Sequence, residues 1–531
     1  MEKAREERHS GRSGNGWAFL LLCFGVFMVY LDAMIVNVAL PDIRTDWDVG
    51  IRGLQWVINA YSIPFACLLL AGGVFGDSFG YKKMFLLGMA GFTLSSIWCA
   101  ESASIGSLLS ARAVQGAFGA LLIPVSLAII RAVYHDPVQR AKAIGIWAGI
   151  GGVALAAGPL VGGWLVERYG WESVFWLNVP IGAVVFAALS ALMKEPAGRK
   201  KRSLDFAGQI LFIAGIASLS YGLIESHSLG WDHARIVGSL AFALAAIAAF
   251  VWREHRHREP LLPMDFFRQP LFVVALLVNL LAFFSVYAVT FLMTLYLQNV
   301  NGLSAIDTGL RFLPLTLGIM VMSALGSRLA VKFSPLALIP AGSFAVGAAL
   351  LWLTALKPGS GLADYVWPLL LLGIGLPIAG TSATVTLMSH TAPERAGMAS
   401  GIANTFRQIS AVVAVALSGS LMSAIVNHSS GSRMDALQVP GSIQPEIREA
   451  LASGNLSGLA SSGLPARTLE ALGDMAPVWF VQGMGGAFVL AGAAGLACGV
   501  LCLLILIRSR ISRPAVSPAG KASVPTLANP E

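Results

Sequence analysis

Residues 17–40 read WAFLLLCFGVFMVYLDAMIVNVAL, an apolar run interrupted by one acid, Asp32, and one amide, Asn37. Roughly 20 apolar residues are needed to cross a bilayer as helix, because lipid offers no partner to an unpaired backbone N–H or C=O. The run exceeds the roughly 7–15-residue core of a signal peptide. It is therefore expected to stay attached as a first span, behind a polar tail over 1–16. Outward from it the same rule gives spans near 53–75, 84–103, 106–130, 141–166 and 174–193, completing an N-terminal six-helix bundle over 17–193. The segment 194–270 holds two further spans, near 206–225 and 235–252, between the basic linkers KEPAGRKKRSLD and REHRHREPLLPMDFFRQP. A C-terminal bundle over 271–507 follows, with spans near 271–297, 305–330, 335–356, 366–390, 397–426 and 478–507, then a tail over 508–531. The expected fold is all-α and polytopic, with about 14 transmembrane helices in a 6+2+6 plan.

Composition agrees with this plan. Of the 531 residues, 56% are hydrophobic and only 12% charged, half the charged share of an ordinary soluble domain. The net charge of +8 would suit nucleic acid if Lys and Arg shared one folded face. Instead they fall in the gaps between apolar runs. With both termini inside, about 25 lie in inner loops and tails, about 8 in outer loops and three within spans. That asymmetry places both termini in the cytoplasm. It makes the protein a multi-pass component of the cell membrane, in contact with lipid and without nucleic acid as a partner. The Ser-, Gly- and Pro-rich segment 427–477 is expected as an extracytoplasmic loop with short amphipathic helices. Cys23, Cys67, Cys99, Cys498 and Cys502 all lie in apolar stretches, so they are read as structural rather than as disulfides or metal ligands.

An internal repeat is visible without outside knowledge. Pro137, Ala143, Gly145 and Ile146 return as Pro393, Ala399, Gly401 and Ile402 at one offset, which also relates Gly119 to Gly375. Both copies bridge the fourth and fifth spans of their bundles. Two parallel halves follow, the plan in which transporters hold substrate near the midplane and rock one half against the other.

Four stretches carry chemistry. The loop GGVFGDSFGYKK holds Gly73, Asp77, Gly80, Lys82 and Lys83 in a G-x-x-x-D-x-x-G-x-[KR]-[KR] pattern. It resembles the loop signature of the major facilitator superfamily, which implies a turn whose Asp latches the cytoplasmic side. Ser78 and Tyr81 stand where two arginines are usual, so a thinner charge network is expected. LDAMIVNVALP, Leu31 to Pro41, resembles the first-helix signature of that superfamily's fourteen-span drug/proton antiporters, of the multidrug and quaternary-ammonium type. LLSARAVQGAFG resembles the family's R-x-x-Q-G helix through Arg112, Gln115 and Gly116. GIWAGIGGVALAAGPLVGGWL, with Gly145, Gly149, Gly158, Pro159, Gly162 and Gly163, resembles the helix marking its exporters. WESVFWLNVPIG, YLQNVNGLSAIDTGLRFLP and ASGIANTFRQ extend the likeness along nearly the whole chain.

The residues argue in the same direction. A carboxylate at the centre of a span costs about 2.5–3.5 kcal/mol on insertion scales, so Asp32 is a functional candidate by default. At 1.5 Å per residue, Asp32 and Arg112 lie at similar depths, about 12 and 9 Å from the outer ends of their helices. An acid and a base so placed can pair, and a proton or a substrate can compete for the pair. A permanent structural ion pair is the plainer alternative. Asn37 and Gln115 are donors for such a site. Arg407 either meets an anionic substrate group or bonds backbone carbonyls. Glu225 is read as interfacial, and His255 and His257 as part of a solvated basic segment rather than metal ligands. No G-x-S-x-G, H-E-x-x-H or G-x-x-x-x-G-K-[ST] pattern occurs, which speaks against an enzyme and against ATP as energy source.

The expected activity is proton-coupled export of drugs or other amphipathic molecules, with no cofactor beyond the proton gradient. An exporter of one antibiotic or endogenous metabolite and a non-transporting sensor on the same fold stay open. So does a periplasmic adaptor as partner.

Overall fold

The computed structural model describes residues 2–134, 136–195, 205–257, 259–389, 391, 396–454 and 464–511. Most of the first basic linker, 196–204, and the tail 512–531 lie outside the described residues. The first half comprises α1 (Glu2–Trp47), α2 (Ile51–Phe79), α3 (Tyr81–Ala100), α4 (Ile105–Val133), α5 (Pro137–Tyr169), the single turn α6 (Ser173–Trp176) and α7 (Asn178–Leu192). The inserted pair is α8 (Phe206–Leu229) and α9 (Ala234–Arg256). The second half comprises α10 (Pro270–Leu295), continued by a π-turn over Tyr296–Val300, α11 (Ala305–Arg311), α12 (Leu313–Lys332), α13 (Pro335–Leu353), α14 (Leu362–Ser389), α15 (Ala396–Ala436), α16 (Gln444–Ser453) and α17 (Ala466–Ile511). No strand occurs among the described residues.

Twelve described helices are long and apolar enough to span a bilayer, and the pair α11–α12, bent by 41°, makes a thirteenth. The remaining expected position is filled by α13, whose described apolar stretch, Ala337–Leu353, is shorter than the rest. The expected fourteen is reached only by counting these two with the twelve.

Three boundaries differ from expectation. Helix α1 starts at Glu2, inside the segment expected as a tail, while α15 runs to Ala436 and α17 starts at Ala466, so the loop expected over 427–477 is much shorter. The polar stretch after Val426 stays helical because Val426, Ser430 and Met434, spaced by four, are all fully buried, so one face of this helix is covered while the other stays polar. The second basic linker is also less solvated than expected. Asp205 caps α8 by accepting from the Gly208 N–H at 2.9 Å, and it takes Arg253 Nη2 at 2.7 Å. Burial alone would push the Asp205 carboxyl up, but these hydrogen bonds and the Arg253 charge outweigh it and hold it below its ordinary value. His255 is exposed, whereas His257 Nε2 comes within 4.0 Å of Asp205.

The repeat read from sequence reappears as a repeated packing plan. In the first half α2 and α3 pack on α4, α1 packs on α5 and α7, and α3 on α7. In the second, α12 and α13 pack on α14, α10 packs on α15 and α17, and α13 on α17. The halves then exchange partners, α2 lying on α15 and α5 on α11 and α12. Gly119 and Gly375 occupy matching crossings. A Cβ at Gly119 would press on Phe92 of α3 at 3.3 Å, and one at Gly375 on Ala345 of α13 at 2.9 Å.

Candidate functional site

Asp32, midway along α1, is fully buried with both oxygens engaged. Arg112 Nη1 of α4 donates to its Oδ2 at 2.5 Å. Gln115 Nε2 of α4 and Asn178 Nδ2 of α7 each donate to its Oδ1 at 3.0 Å. Ser96 of α3 ties the amides together, its Oγ accepting from Gln115 at 2.7 Å and from Asn178 at 3.3 Å. Gln115 Oε1 accepts from Arg112 Nη1 at 2.7 Å. Four helices thus converge on one carboxylate, every member nearly inaccessible.

Local sequence explains the convergence. Arg112 and Gln115, three apart on α4, share a helix face. Gly116 lets the Tyr61 carbonyl of α2 approach where a Cβ would collide, and the Tyr61 ring then lies 4.2 Å from the Arg112 guanidinium carbon. Phe175 covers it from another side at 5.5 Å. Aromatic faces attract a cation most strongly when desolvated. Arg112 Nε is left without a partner, a cost that the ion pair must offset.

The other expected residues lie elsewhere. Asn37 is buried, but its amide bonds Ala33 O and Met34 O of its own helix, at 3.3 and 3.2 Å. Arg407 sits on α15 and donates through Nη2 to the Tyr30 hydroxyl at 3.0 Å, with its guanidinium carbon 4.4 Å from the Phe283 ring centre. It bonds neither to Asp32 nor, among the described residues, to any backbone carbonyl. Arg311 donates to the Tyr365 hydroxyl. Glu225 is not simply interfacial: it accepts from Arg52 Nη1 at 3.3 Å and Trp56 Nε1 at 3.1 Å, anchoring α8 to α2.

The glycines of α5 divide into two groups. Gly158 and Gly162 lie against Met34 and Ile35 of α1, at 2.6 and 2.8 Å from an added Cβ. Gly163 faces the Ala305 carbonyl of α11, and a Cβ on Gly309 of α11 would come within 2.5 Å of the Pro159 carbonyl. Close backbone approach of this kind needs glycine. Gly145 and Gly149, nearer the start of α5, meet nothing within 4 Å. The halves are therefore closed at the end of the bundle where α1 terminates. Further closure there comes from Gln298 Nε2 to Val38 O at 3.1 Å, and from Arg44 and Asn299, of opposite halves, both donating to Ser453 O.

At the opposite end, Gly80 turns the chain between α2 and α3 with φ 107°, a conformation glycine tolerates. Asp77 accepts from the Tyr81 hydroxyl at 2.6 Å, so Tyr81 supplies the donor that an arginine would. Lys82 Nζ caps the end of α7 at Ser190 O, 2.7 Å. Glu195 receives the Lys82 and Lys83 N–H groups at 3.1 and 3.3 Å, closing the N-terminus of α3 with an acid that suits its dipole. Gly73 has a single loose neighbour, Pro124, at 3.8 Å from an added Cβ. Ser96, Asn178, Tyr61 and Glu195 were not expected as members of either cluster. Asn178 stands in the sequence as one of several amides within apolar runs, with nothing to mark it out.

Residues 22–415 match the family model described as Major Facilitator Superfamily. The chain belongs to that superfamily. It is 36% identical over 499 residues to the tetracenomycin C resistance and export protein of Streptomyces glaucescens, covering 93% of this chain and 92% of that protein. It is 33% identical over 473 residues to the multidrug resistance protein Stp of Mycobacterium tuberculosis, covering 88% of each. Among solved structures it resembles a bacterial homologue of the human lysosomal transporter Spinster in an inward-facing, unoccupied conformation. The TM-score is 0.65 at 18% identity, over 92% of this chain and 98% of that one. This superfamily member is a multi-pass membrane protein with the major facilitator fold.

Proposed function

We propose that the chain is a proton-coupled exporter of drugs or other amphipathic small molecules. The observation that carries this reading is the buried Asp32–Arg112 pair, whose acid sits on α1, the helix packed against α5 at the seam between the halves. Asp32 is two and three residues from Met34 and Ile35, which pack on Gly158 and Gly162 of α5. The same stretch of α5 packs on α11 of the second half. A proton on Asp32 cancels its attraction for Arg112 and leaves a buried cation without its counter-ion. Relief requires α1 and α4 to shift, and α5 follows α1. The proton at Asp32 is thereby coupled to contact between the halves.

The Lys and Arg distribution favours cytoplasmic termini; on that orientation the closed end is extracytoplasmic and this conformation faces inward. Cargo is taken from the cytoplasm, the halves rock, and a proton entering from outside resets Asp32. One charge across 100 mV is worth about 2.3 kcal/mol, enough for about a fortyfold gradient of cargo. The protein acts as a carrier rather than an enzyme and requires no cofactor beyond this gradient. The names of the relatives support this reading: one names resistance to and export of a single antibiotic, the other resistance to several drugs. Cells expressing the protein should accumulate less of at least one antibiotic than cells lacking it, and an uncoupler should erase the difference. Equal accumulation across a broad panel, with the protein present in the membrane, would contradict export.

A further inference from the structure

The two cations that flank α1 differ in what they offer a ligand. Arg112 is spent on Asp32 and covered by Tyr61 and Phe175. Asp32 is equally spent, since Arg112, Gln115 and Asn178 occupy both its oxygens. A cationic cargo would find no free carboxylate there. Arg407 is the reverse case. It is half-buried, and no carboxylate lies within 4.0 Å among the described residues. Its hydrogen bond to Tyr30 employs one of five guanidinium N–H donors. Its guanidinium carbon lies 4.4 Å from the centre of the Phe283 ring and 5.6 Å from that of the Tyr30 ring.

We infer that Arg407, Tyr30 and Phe283 form the cargo's anion subsite, and that the preferred cargo is a planar aromatic molecule bearing a carboxylate, sulfonate or ionised phenol. A guanidinium binds such groups in a fork geometry that lysine does not reproduce. Phe283 provides the stacking face for the ring. Gly151 of α5 leaves the Tyr30 ring room, with an added Cβ at 3.0 Å, and the adjacent Gly152 meets nothing within 4 Å. Tyr30 lies two residues from Asp32 on α1. An anion that takes Arg407 from the Tyr30 hydroxyl therefore acts on the helix that carries the coupling acid. This inference rests on the export reading and names its cargo class.

Binding to purified protein needs no gradient and separates the two. The probes are anthraquinone-2-carboxylate, its neutral carboxamide and the cation ethidium, titrated by tryptophan quenching. Wild-type protein should bind the carboxylate at least about tenfold more tightly than the other two. Arg407→Gln should remove that preference while leaving carboxamide affinity within about twofold, and Arg407→Lys should keep part of it. Preference for ethidium or the carboxamide, equal losses for all three probes in R407Q, or no binding of the carboxylate at millimolar concentration overturns the subsite. Carboxylate binding through Arg407 without flux in proteoliposomes overturns export and leaves the subsite standing. Ethidium flux without anion preference does the opposite.

Discussion

At the residue scale, the Asp32 cluster is a closed set of donors and acceptors around one ion pair. Breaking a buried pair from one side costs about 3–5 kcal/mol, whereas replacing both charges by neutral groups is often near neutral. Arg112→Gln alone leaves a buried carboxylate and should lower thermal stability in detergent markedly. The double variant Asp32→Asn, Arg112→Gln should recover most of that loss while remaining inactive. Equal destabilisation by the single and double variants would show that packing, not charge, holds this site. The acid and its two α4 partners were legible because charges in apolar spans are rare and their depths can be counted along a helix. Asn178 and Ser96 were not. A polar residue in an apolar span looks the same whether it bonds its own backbone, as Asn37 and Asn279 do, or crosses to another helix. Sequence left Arg407 between an anionic cargo group and backbone carbonyls; among the described residues it bonds no carbonyl, because tyrosine and phenylalanine rings fill its surroundings.

At the element scale, the two ends of α5 meet different surroundings. Gly163 and Gly309 permit backbone contact with the second half, while Gly145 and Gly149 face open space in this conformation. Gly163→Ala should push α5 away from α11 and lengthen the spin-label distance between their outer ends. Gly149→Ala should leave that distance unchanged here. An unchanged distance in G163A would mean that the contact does not hold the closed face. Helix α8 adds a second tie across the seam, with Glu225 held by Arg52 and Trp56 of α2 and Ser226 against Ser420 of α15 at 2.7 Å. Apolar runs and turn residues made the helices legible, and glycine spacing made α5 legible as a packing helix. The ends of α15 and α17 were not, since a polar stretch continues as helix wherever tertiary packing covers one of its faces.

At the scale of the molecule, the repeat turns two sequence halves into two bundles that share a packing plan and lend each other a helix, α2 to α15 and α5 to α12. Among the described residues, the close backbone contact of α5 with the second half lies at one end of this interface, and Asp32 lies beside it rather than in it. In the mechanism proposed above, protonation of Asp32 is linked to inter-half contact through α1 and α5. The direct test is proton movement in energised inverted membrane vesicles on addition of a transported aromatic acid. Wild-type protein should release protons from the vesicle lumen in step with cargo uptake, and Asp32→Asn, folded and still able to bind cargo, should release none. Cargo accumulation by the Asp32→Asn protein with an undiminished proton signal would contradict the account.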